Sequence, residues 1–289
     1  MDIEQAGHIA RELGVDEHGL TLRAIPGGDI ARAYVLESSD CRIFIKTLPV
    51  SRAGLNSAEA DGLQALSETA TVRCPKVIGK GVVDDTAWLA LEYLDLQSRG
   101  RAGERRLGSA LARLHRQSSI TFGWHRANYI GLTPQPNPRL SDWHEFFLWH
   151  RLGHQLDHLD NKHPEDGWSR LRQALFERFQ RRFGHHQPPP ALIHGDLWTG
   201  NAAVIDGDKP VVFDPAVHYA DRECDLAMTR LFGGFSEDFY SAYEAEWPLP
   251  DDHAERRPWY QLYHLLNHAN LFGGGYLGRA REVIDRLSS

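Results

Sequence analysis

Cysteine is scarce in this chain. Cys41, Cys74 and Cys224 are the only three in 289 residues, are odd in number, sit far apart and form no CxxC pair. That excludes a disulfide framework and reads as reduced thiols. Basic charge is also short: 32 Lys and Arg against 39 Asp and Glu give a formal net charge of -7. A nucleic-acid footprint or a polybasic membrane surface needs clustered positive charge, so neither is expected, and a small neutral or cationic partner is. No run approaches 18 apolar residues, which predicts no membrane-spanning helix. The opening MDIEQAGHIARELGV is polar and carries acids, unlike a signal peptide. A soluble cytoplasmic protein is therefore predicted. With 42% hydrophobic and 25% charged residues the composition is ordinarily globular, enough for one large domain or a pair of modest ones.

After an opening helix, LTLRAI, IARAYVLES and CRIFIKTL read as strands joined by tight turns. Gly27-Gly28, between the first pair, could let backbone N–H groups approach phosphates. It is no full GxGxxG, and a plain hairpin turn accounts for it equally well. In the third strand Cys41, Ile43 and Ile45 share one face and Phe44 and Lys46 the other. A helix across Leu55 to Ser67 places Glu59 with Leu63 and Leu66 on its apolar stripe. A buried carboxylate there needs a partner, which Lys46 can supply; otherwise Glu59 borders the stripe and reaches water. Apolar runs at Val77-Ile78 and Trp88 to Leu91 complete a five-stranded antiparallel sheet. The second ends in Glu92-Tyr93-Leu94, before a polar, Arg-rich stretch that reads as a hinge at about 92–98. The expected organisation is an N-terminal lobe, 1–94, and a C-terminal lobe, 95–289.

The remainder reads as mainly helical. Leu107, Leu111 and Leu114 mark one helix ending near His115, and Gly123 to Leu140 reads as a structured connection. Asp142 with Glu145 begins a helix to about Asp160, with Leu148, Leu152, Leu156 and Leu159 inward. His150, His154 and His158 form a second stripe, at a spacing that can share a metal ion. HQLDH lacks the glutamate of HExxH, however, and the stripe faces away from the leucine core. Trp168 to Phe183 is rich in arginine and reads as a solvated outer helix. Pro258 reads as the start of another helix.

The chemistry concentrates after the short apolar strand Ala191 to Ile193. The segment HGDLWTGN carries Asp196 and Asn201, and thirteen residues later Asp214 ends the run VVFD. Asp, then Asn five positions on, then a further Asp is the order in which kinases place their phosphoryl-transfer groups. One carboxylate, Asp196, would orient the acceptor hydroxyl and take its proton; Asn201 and Asp214 would hold Mg²⁺ on the phosphates of ATP. Singly, HGD or DxxxxN reads as an Asx-capped turn. The ordered set of Lys46, Glu59, Glu92, Asp196, Asn201 and Asp214 favours the catalytic reading.

HGDLWTGN, DPAVHYADRECDLA, RLFGGF and YQLYHLLNHANLFGGGY together resemble the fructosamine kinase (ketosamine-3-kinase) family, within the aminoglycoside-phosphotransferase-like small-molecule kinases. FIK, AEADGL, LEYLDL, FGWHRANYIGLTPQPN and DWHEFFLWHRL extend the similarity over nearly the whole chain. HGD with a downstream DP marks only the broad group, while Trp198, LFGGF and FGGGY narrow it. The resemblance implies an α+β, two-lobed protein-kinase-like fold. It also implies ATP with Mg²⁺ and transfer of the γ-phosphoryl to the 3-hydroxyl of a ketosamine, leading to deglycation. It implies Asp196 as base, Asn201 and Asp214 as magnesium ligands, Lys46 and Glu59 as the phosphate-orienting pair, and Glu92, Tyr93 and Leu94 as the adenine hinge. Gly27 and Gly28 stand for the glycine loop, and Asp225, with His194, for the brace of the catalytic loop.

On the acceptor side the residues leave alternatives open. Asp225 opens an apolar helix and reads equally as an N-cap. Asp221 and Glu223 fit a cationic amine substrate or an exposed surface. His264 and Asn267 either knit a helix into the lobe or face the sugar, with Trp198 stacking on the ring or packing on that helix. The acceptor is a small or protein-bound ketosamine, another alcohol such as an aminoglycoside, choline or free sugar, or, in a pseudokinase, absent. The oligomeric state is open, with a monomer favoured.

Overall fold

The computed structural model describes residues 1–26 and 30–288, so the Gly27-Gly28 turn lies outside the described residues. Helix α1 (Ile3–Glu12) starts with a capping box. Asp2 accepts from the Gln5 N–H at 2.9 Å and the Gln5 side chain accepts from the Asp2 N–H at 3.3 Å. It is followed by β1 (Thr21–Ile25), β2 (Arg32–Glu37), β3 (Arg42–Pro49), α2 (Ala53–Glu68), β4 (Val77–Val83) and β5 (Thr86–Glu92). The strands form one antiparallel sheet in the order β1-β2-β3-β5-β4, as the sequence predicts.

Strand alternation divides the sheet's two faces. Ile43, Ile45, Trp88 and Ala90 pack with Ala6, Ile9 and Ala10 of α1, while Phe44, Leu89 and Leu91 face Ala60, Leu63 and Leu66 of α2. Lys46 pairs with Leu89 across the ladder and so shares the α2 face. That register turns Lys46 toward Glu59.

The chain continues through α3 (Arg101–His115), the hairpin β6 (Asn128–Ile130) and β7 (Thr133–Gln135), α4 (Trp143–Phe147), α5 (His154–Lys162) and α6 (Trp168–Phe183). It then forms β8 (Ala191–Ile193), the hairpin β9 (Ala202–Ile205) and β10 (Lys209–Val212), β11 (His218–Ala220), α7 (Glu223–Thr229), α8 (Glu237–Glu246), α9 (His253–Phe272) and α10 (Gly275–Ser288). The main core of this part gathers Trp143, Phe146, Phe147, Leu152, Leu156, Phe179, Trp259 and Leu266.

Several local expectations need correction. The 123–140 connection contains the β6-β7 hairpin. Asp142 caps its helix by accepting from the Glu145 N–H, and all four predicted leucines are buried, but α4 and α5 are joined by a π-helical turn over Leu148–Gly153. The wider turn rotates the outer face, so His154 meets His158 while His150 lies by the Phe146 ring. The arginine-rich α6 is outer on one side only, because Trp168, Leu175, Phe176, Phe179 and Phe183 are buried. Pro258 lies inside α9, five residues after its start, rather than opening it.

Candidate active site

Strand β8 is buried and pairs with β11, Ile193 opposite His218, so it delivers the catalytic segment from a fixed edge. Gly195 has φ +83°, and a Cβ there would come within 2.1 Å of the Ala216 carbonyl oxygen. Only glycine fits that bend. The next restraint is Asp225 in α7, whose Oδ2 accepts the His194 N–H at 2.7 Å and whose Oδ1 accepts the Gly195 N–H at 2.8 Å. Asp225 also faces His115 Nε2 at 3.2 Å, and His115 Nδ1 lies 2.8 Å from the Tyr243 hydroxyl. Burial works against the Asp225 charge, yet His115 and the backbone donors hold its pKa below the ordinary carboxylate value. Asp225 thus ties the backbone of His194 and Gly195 to α7. The N-cap alternative fails, since Arg222 occupies that position of α7.

His194 is buried, and burial pushes its pKa down. A neutral ring explains both contacts: Nε2 donates to the Phe213 carbonyl at 3.1 Å and Nδ1 accepts the Asp196 N–H at 3.3 Å. Asn201 Nδ2 donates to the Asp196 carbonyl at 2.8 Å and faces its Oδ2 at 3.4 Å. That commitment leaves Asn201 Oδ1 as the amide's remaining polar atom. The Phe213 N–H donates to the Asn201 carbonyl at 3.1 Å, tying the loop to the residue before Asp214. Asp214 itself has φ +57°, a conformation that costs a non-glycine residue on the order of 1 kcal/mol or more.

Lys46 closes the constellation. Its ammonium donates to Glu59 at 2.8 Å and also to Asp214. Asp196, Asn201 and Asp214 are thus brought together on one loop system, with the Lys46–Glu59 pair against it. Burial raises the pKa of Glu59 despite Lys46, whereas Lys46 outweighs burial at Asp214 and lowers it. Asp196 is pushed up to about 7 by burial, then by the charges of Asp214 and Asp225. It can therefore exchange a proton near neutrality. The oxygen atoms of Asn201 and of the 44% exposed Asp214 side chain are hard donors of the kind Mg²⁺ takes.

Other expected residues lie elsewhere in the geometry. The Glu92 N–H donates to the Lys76 carbonyl at 2.8 Å, and its carboxylate takes Arg73 at 2.5 Å and the Lys76 N–H at 3.1 Å. The side chain is structural. Gln97 pairs with Val204 in both directions, so Tyr93 and Leu94 lie between two anchored points. Asp221 and Glu223 do not face an acceptor. Asp221 takes His186 at 2.7 Å, the Tyr260 hydroxyl at 2.6 Å and the Glu223 N–H at 3.0 Å, and Glu223 takes Arg256 at 2.8 and 2.9 Å. All four carboxylate oxygens are used inside the lobe. His264 and Asn267 are each 3% exposed, and Asn267 Oδ1 accepts from Gln155 at 3.3 Å. Both belong to the interior of α9 rather than to a sugar-facing surface.

Trp198 is 38% exposed, with Phe232 at 6.5 Å between ring centroids; Phe232 meets His268 at 4.6 Å, and His268 meets Tyr276 at 5.1 Å. Trp198 thus begins a chain of ring contacts that reaches α9 through Phe232 and His268. Phe232 and His268 sit in the RLFGGF and NHANLFGGGY segments, whose aromatic density was the available signal. Two further supports had no local signal. Arg99 Nη1 donates to the Thr199 carbonyl at 2.6 Å and to that of Ala202. Asp61 of α2 accepts from Trp124 Nε1 at 2.8 Å and lies 3.1 Å from His125 Nε2.

A sheet carrying a Lys–Glu pair over an Asp, Asn and Asp loop system defines the protein-kinase-like class of phosphotransferase. The streptomycin-ATP-APH(2")-IIa ternary complex shares this fold at a TM-score of 0.67 and 13% identity, covering 99% of this chain and 96% of that one. More specifically, the family profile for fructosamine kinase matches residues 1–289, and the chain belongs to that family. The probable ketoamine kinase of Synechocystis sp. is 40% identical over 272 residues, covering 91% of this chain and 89% of the relative. The crystal structure of a protein assigned as a fructosamine-3-kinase from Thermobifida fusca YX-ER1 is 31% identical with a TM-score of 0.86, covering 100% of this chain and 99% of that one. Among the described residues, no helix is long and apolar enough to cross a membrane.

Proposed function

We propose that this protein uses ATP to phosphorylate a sugar hydroxyl of ketosamines, the adducts of sugars with amines, as a step in their removal. The observation that carries the reading is the half-buried Asp196, raised to a pKa of about 7 and held at the mouth of the loop by Asn201 and the His194–Asp225 brace. The acceptor hydroxyl would hydrogen-bond to the Asp196 carboxylate and pass it a proton as the oxygen attacks the γ-phosphorus. The bond from that phosphorus to the bridging oxygen of ADP breaks in the same step. Asn201 and Asp214 would hold Mg²⁺, which supplies charge neutralisation on the phosphates when bound. Lys46, kept in place by Glu59, would turn from Asp214 to the nucleotide phosphates.

The proposed division is a nucleotide lobe at 1–94 and a catalytic lobe at 95–289, with adenine against the backbone at 92–98. Glu92 contributes structure there rather than a free N–H. The exposed face of Trp198 would carry the sugar, with Phe232 and His268 extending the wall toward the amine. A protonated amine against aromatic faces gains cation–π attraction. A cytoplasmic monomer acting on free or protein-bound adducts completes the reading.

The test incubates the protein with Mg-ATP and separate fructosamine, ribulosamine, aminoglycoside, choline and free-sugar acceptors, following ADP release. The expected result is turnover with ketosamines. Turnover only with one of the others would replace the acceptor class, and ATP-dependent thermal stabilisation without any turnover would mark a pseudokinase.

A further inference from the structure

The histidines of α5 are not used by the phosphotransfer site. His154 and His158 sit four residues apart on one helical face, a spacing at which imidazoles can share one ion. Their Nε2 atoms lie 3.2 Å apart, with the rings nearly perpendicular at 86°. Ligands held at about 2.0–2.1 Å from one ion, at angles between roughly 90° and 109°, are separated by roughly 2.9–3.4 Å. The pair therefore already has the bite of a chelate. The Pro134 carbonyl oxygen in β7 lies 2.8 Å from the same His154 nitrogen and adds an oxygen at the same point.

The proton inventory of this cluster points the same way. If His154 carries a proton on Nε2, that proton faces the Pro134 carbonyl, and the facing nitrogen of His158 must be bare. With both rings protonated on Nδ1 instead, a pair of nitrogen lone pairs and a carbonyl converge. Asp157, on the same turn, pairs with Arg172 through one carboxylate oxygen at 2.8 Å.

We propose that His154 and His158 chelate a single late first-row divalent ion, of the zinc, nickel or copper kind, with the Pro134 carbonyl as third ligand. Imidazole suits these ions, whereas Mg²⁺ prefers oxygen, so the site is chemically separate from the nucleotide's metal. An ion there would clamp β7 to α5. The adjoining Gln135 accepts from the Tyr263 hydroxyl at 2.6 Å and donates to the Ala216 carbonyl at 3.3 Å, so the clamp would stiffen the wall that backs the catalytic loop.

Among the described residues, His163, Glu165 and Asp166, beyond the other end of α5, and His186, Asp221 and Glu223 each bring their donor atoms within 4.8 Å of one another. The second set is already committed to Tyr260 and Arg256, so the first is the competing group separated in the test. Tag-free protein is titrated with Ni²⁺ at pH 7.5 by calorimetry and by thermal melting, as wild type, His154→Ala, His158→Ala and His163→Ala. The expected result is a wild-type site lost, or weakened about tenfold or more, in each of the first variant pair. It should persist in His163→Ala, and the accompanying rise in melting temperature should be reversed by EDTA. Kinase turnover without added Ni²⁺ should be unchanged in His154→Ala and His158→Ala, which shows that they fold. Equal Ni²⁺ affinity in wild type and both variants, no Ni²⁺ binding at all, or loss of the site in His163→Ala, would each overturn the proposal.

Discussion

Lys46 and Asp214 form an ion pair that joins strand β3 to the end of the 194–214 loop system over 168 positions of sequence. The same ammonium holds Glu59 at 2.8 Å. Burial works against the charge, but Asp214 and Glu59 outweigh it and keep the Lys46 pKa raised. The lysine is therefore a permanent cation shared between two carboxylates, of which Asp214 would hold the metal ion in the proposed reaction. In the proposed reaction, nucleotide phosphates would offer it a third set of acceptors.

Replacing Lys46 with Met removes the cation and leaves Glu59 facing Asp214. The expected outcome is a higher KM for ATP and a fall in turnover on the order of 10²-fold, the scale of losing one preorganised electrostatic contact. Steady-state kinetics over an ATP series checks it, with circular dichroism to confirm folding. An unchanged KM for ATP would remove Lys46 from the phosphate site.

Asp196 also makes a prediction about stability. Its folded-state pKa of about 7 lies above the ordinary 3.8. Its contribution to stability is thus fully present below about pH 3.8 and is lost as pH rises toward 7, beyond which the charge is a standing cost. Asp196→Asn mimics the protonated side chain. After screening of this half-buried group, the variant should be more stable at pH 8 by roughly 1–2 kcal/mol, a few degrees in Tm, with the difference shrinking as pH falls and gone only below about pH 3.8. Identical melting curves at pH 8 would argue against a raised pKa.

Asp225→Asn keeps the size of the side chain but replaces a carboxylate oxygen with an N–H facing backbone donors. Hydrogen bonds to charged groups are worth about 1.5–3 kcal/mol, so a loss of stability in that range is expected at pH 7. Because the Asp225 pKa is depressed, this gap should narrow as pH falls through the acidic range. Turnover should fall more than the KM for ATP changes, since Asp225 holds the His194 and Gly195 backbone beside Asp196. A variant with wild-type kinetics would make the brace dispensable.

Asp61 lies one residue beyond the neighbour of Glu59 on α2 and reaches across to Trp124 and His125. This contact is expected to help hold α2, and with it Glu59, against Lys46. Asp61→Ala is expected to reduce turnover several-fold, on the order of 1 kcal/mol for the lost hydrogen bond, and Trp124→Phe, which removes only the N–H, should do the same. Pre-steady-state rates for both variants provide the comparison; a loss confined to Asp61→Ala would assign the effect to His125 instead.

Much of this arrangement was legible in local patterns. Alternation in CRIFIKTL placed Lys46 and Phe44 opposite Ile43 and Ile45, and helical periodicity put Glu59 on the facing stripe, so their meeting follows from register alone. The motif HGDLWTGN located Asp196 and Asn201 because their spacing is short and the loop is local. What escaped was settled by long-range packing. Asp221 and Glu223 read as acceptor-side acids because nothing near them in sequence announces His186 or Arg256, which neutralise them. The π-helical turn at Leu148–Gly153 also lacks a local signature, and it separates His150 from the His154–His158 pair. The Lys46–Asp214 contact joins distant segments and depends on how the sheet sits over the loop.

The most direct measurement is the single-turnover rate of Asp196→Ala on a fructosamine acceptor at saturating Mg-ATP, with nucleotide affinity measured alongside. Removal of the proton acceptor should slow phosphoryl transfer by at least ~10²-fold while ATP binding stays within a few-fold of wild type. A near-normal rate of transfer by the variant would contradict the assignment of Asp196 as the base.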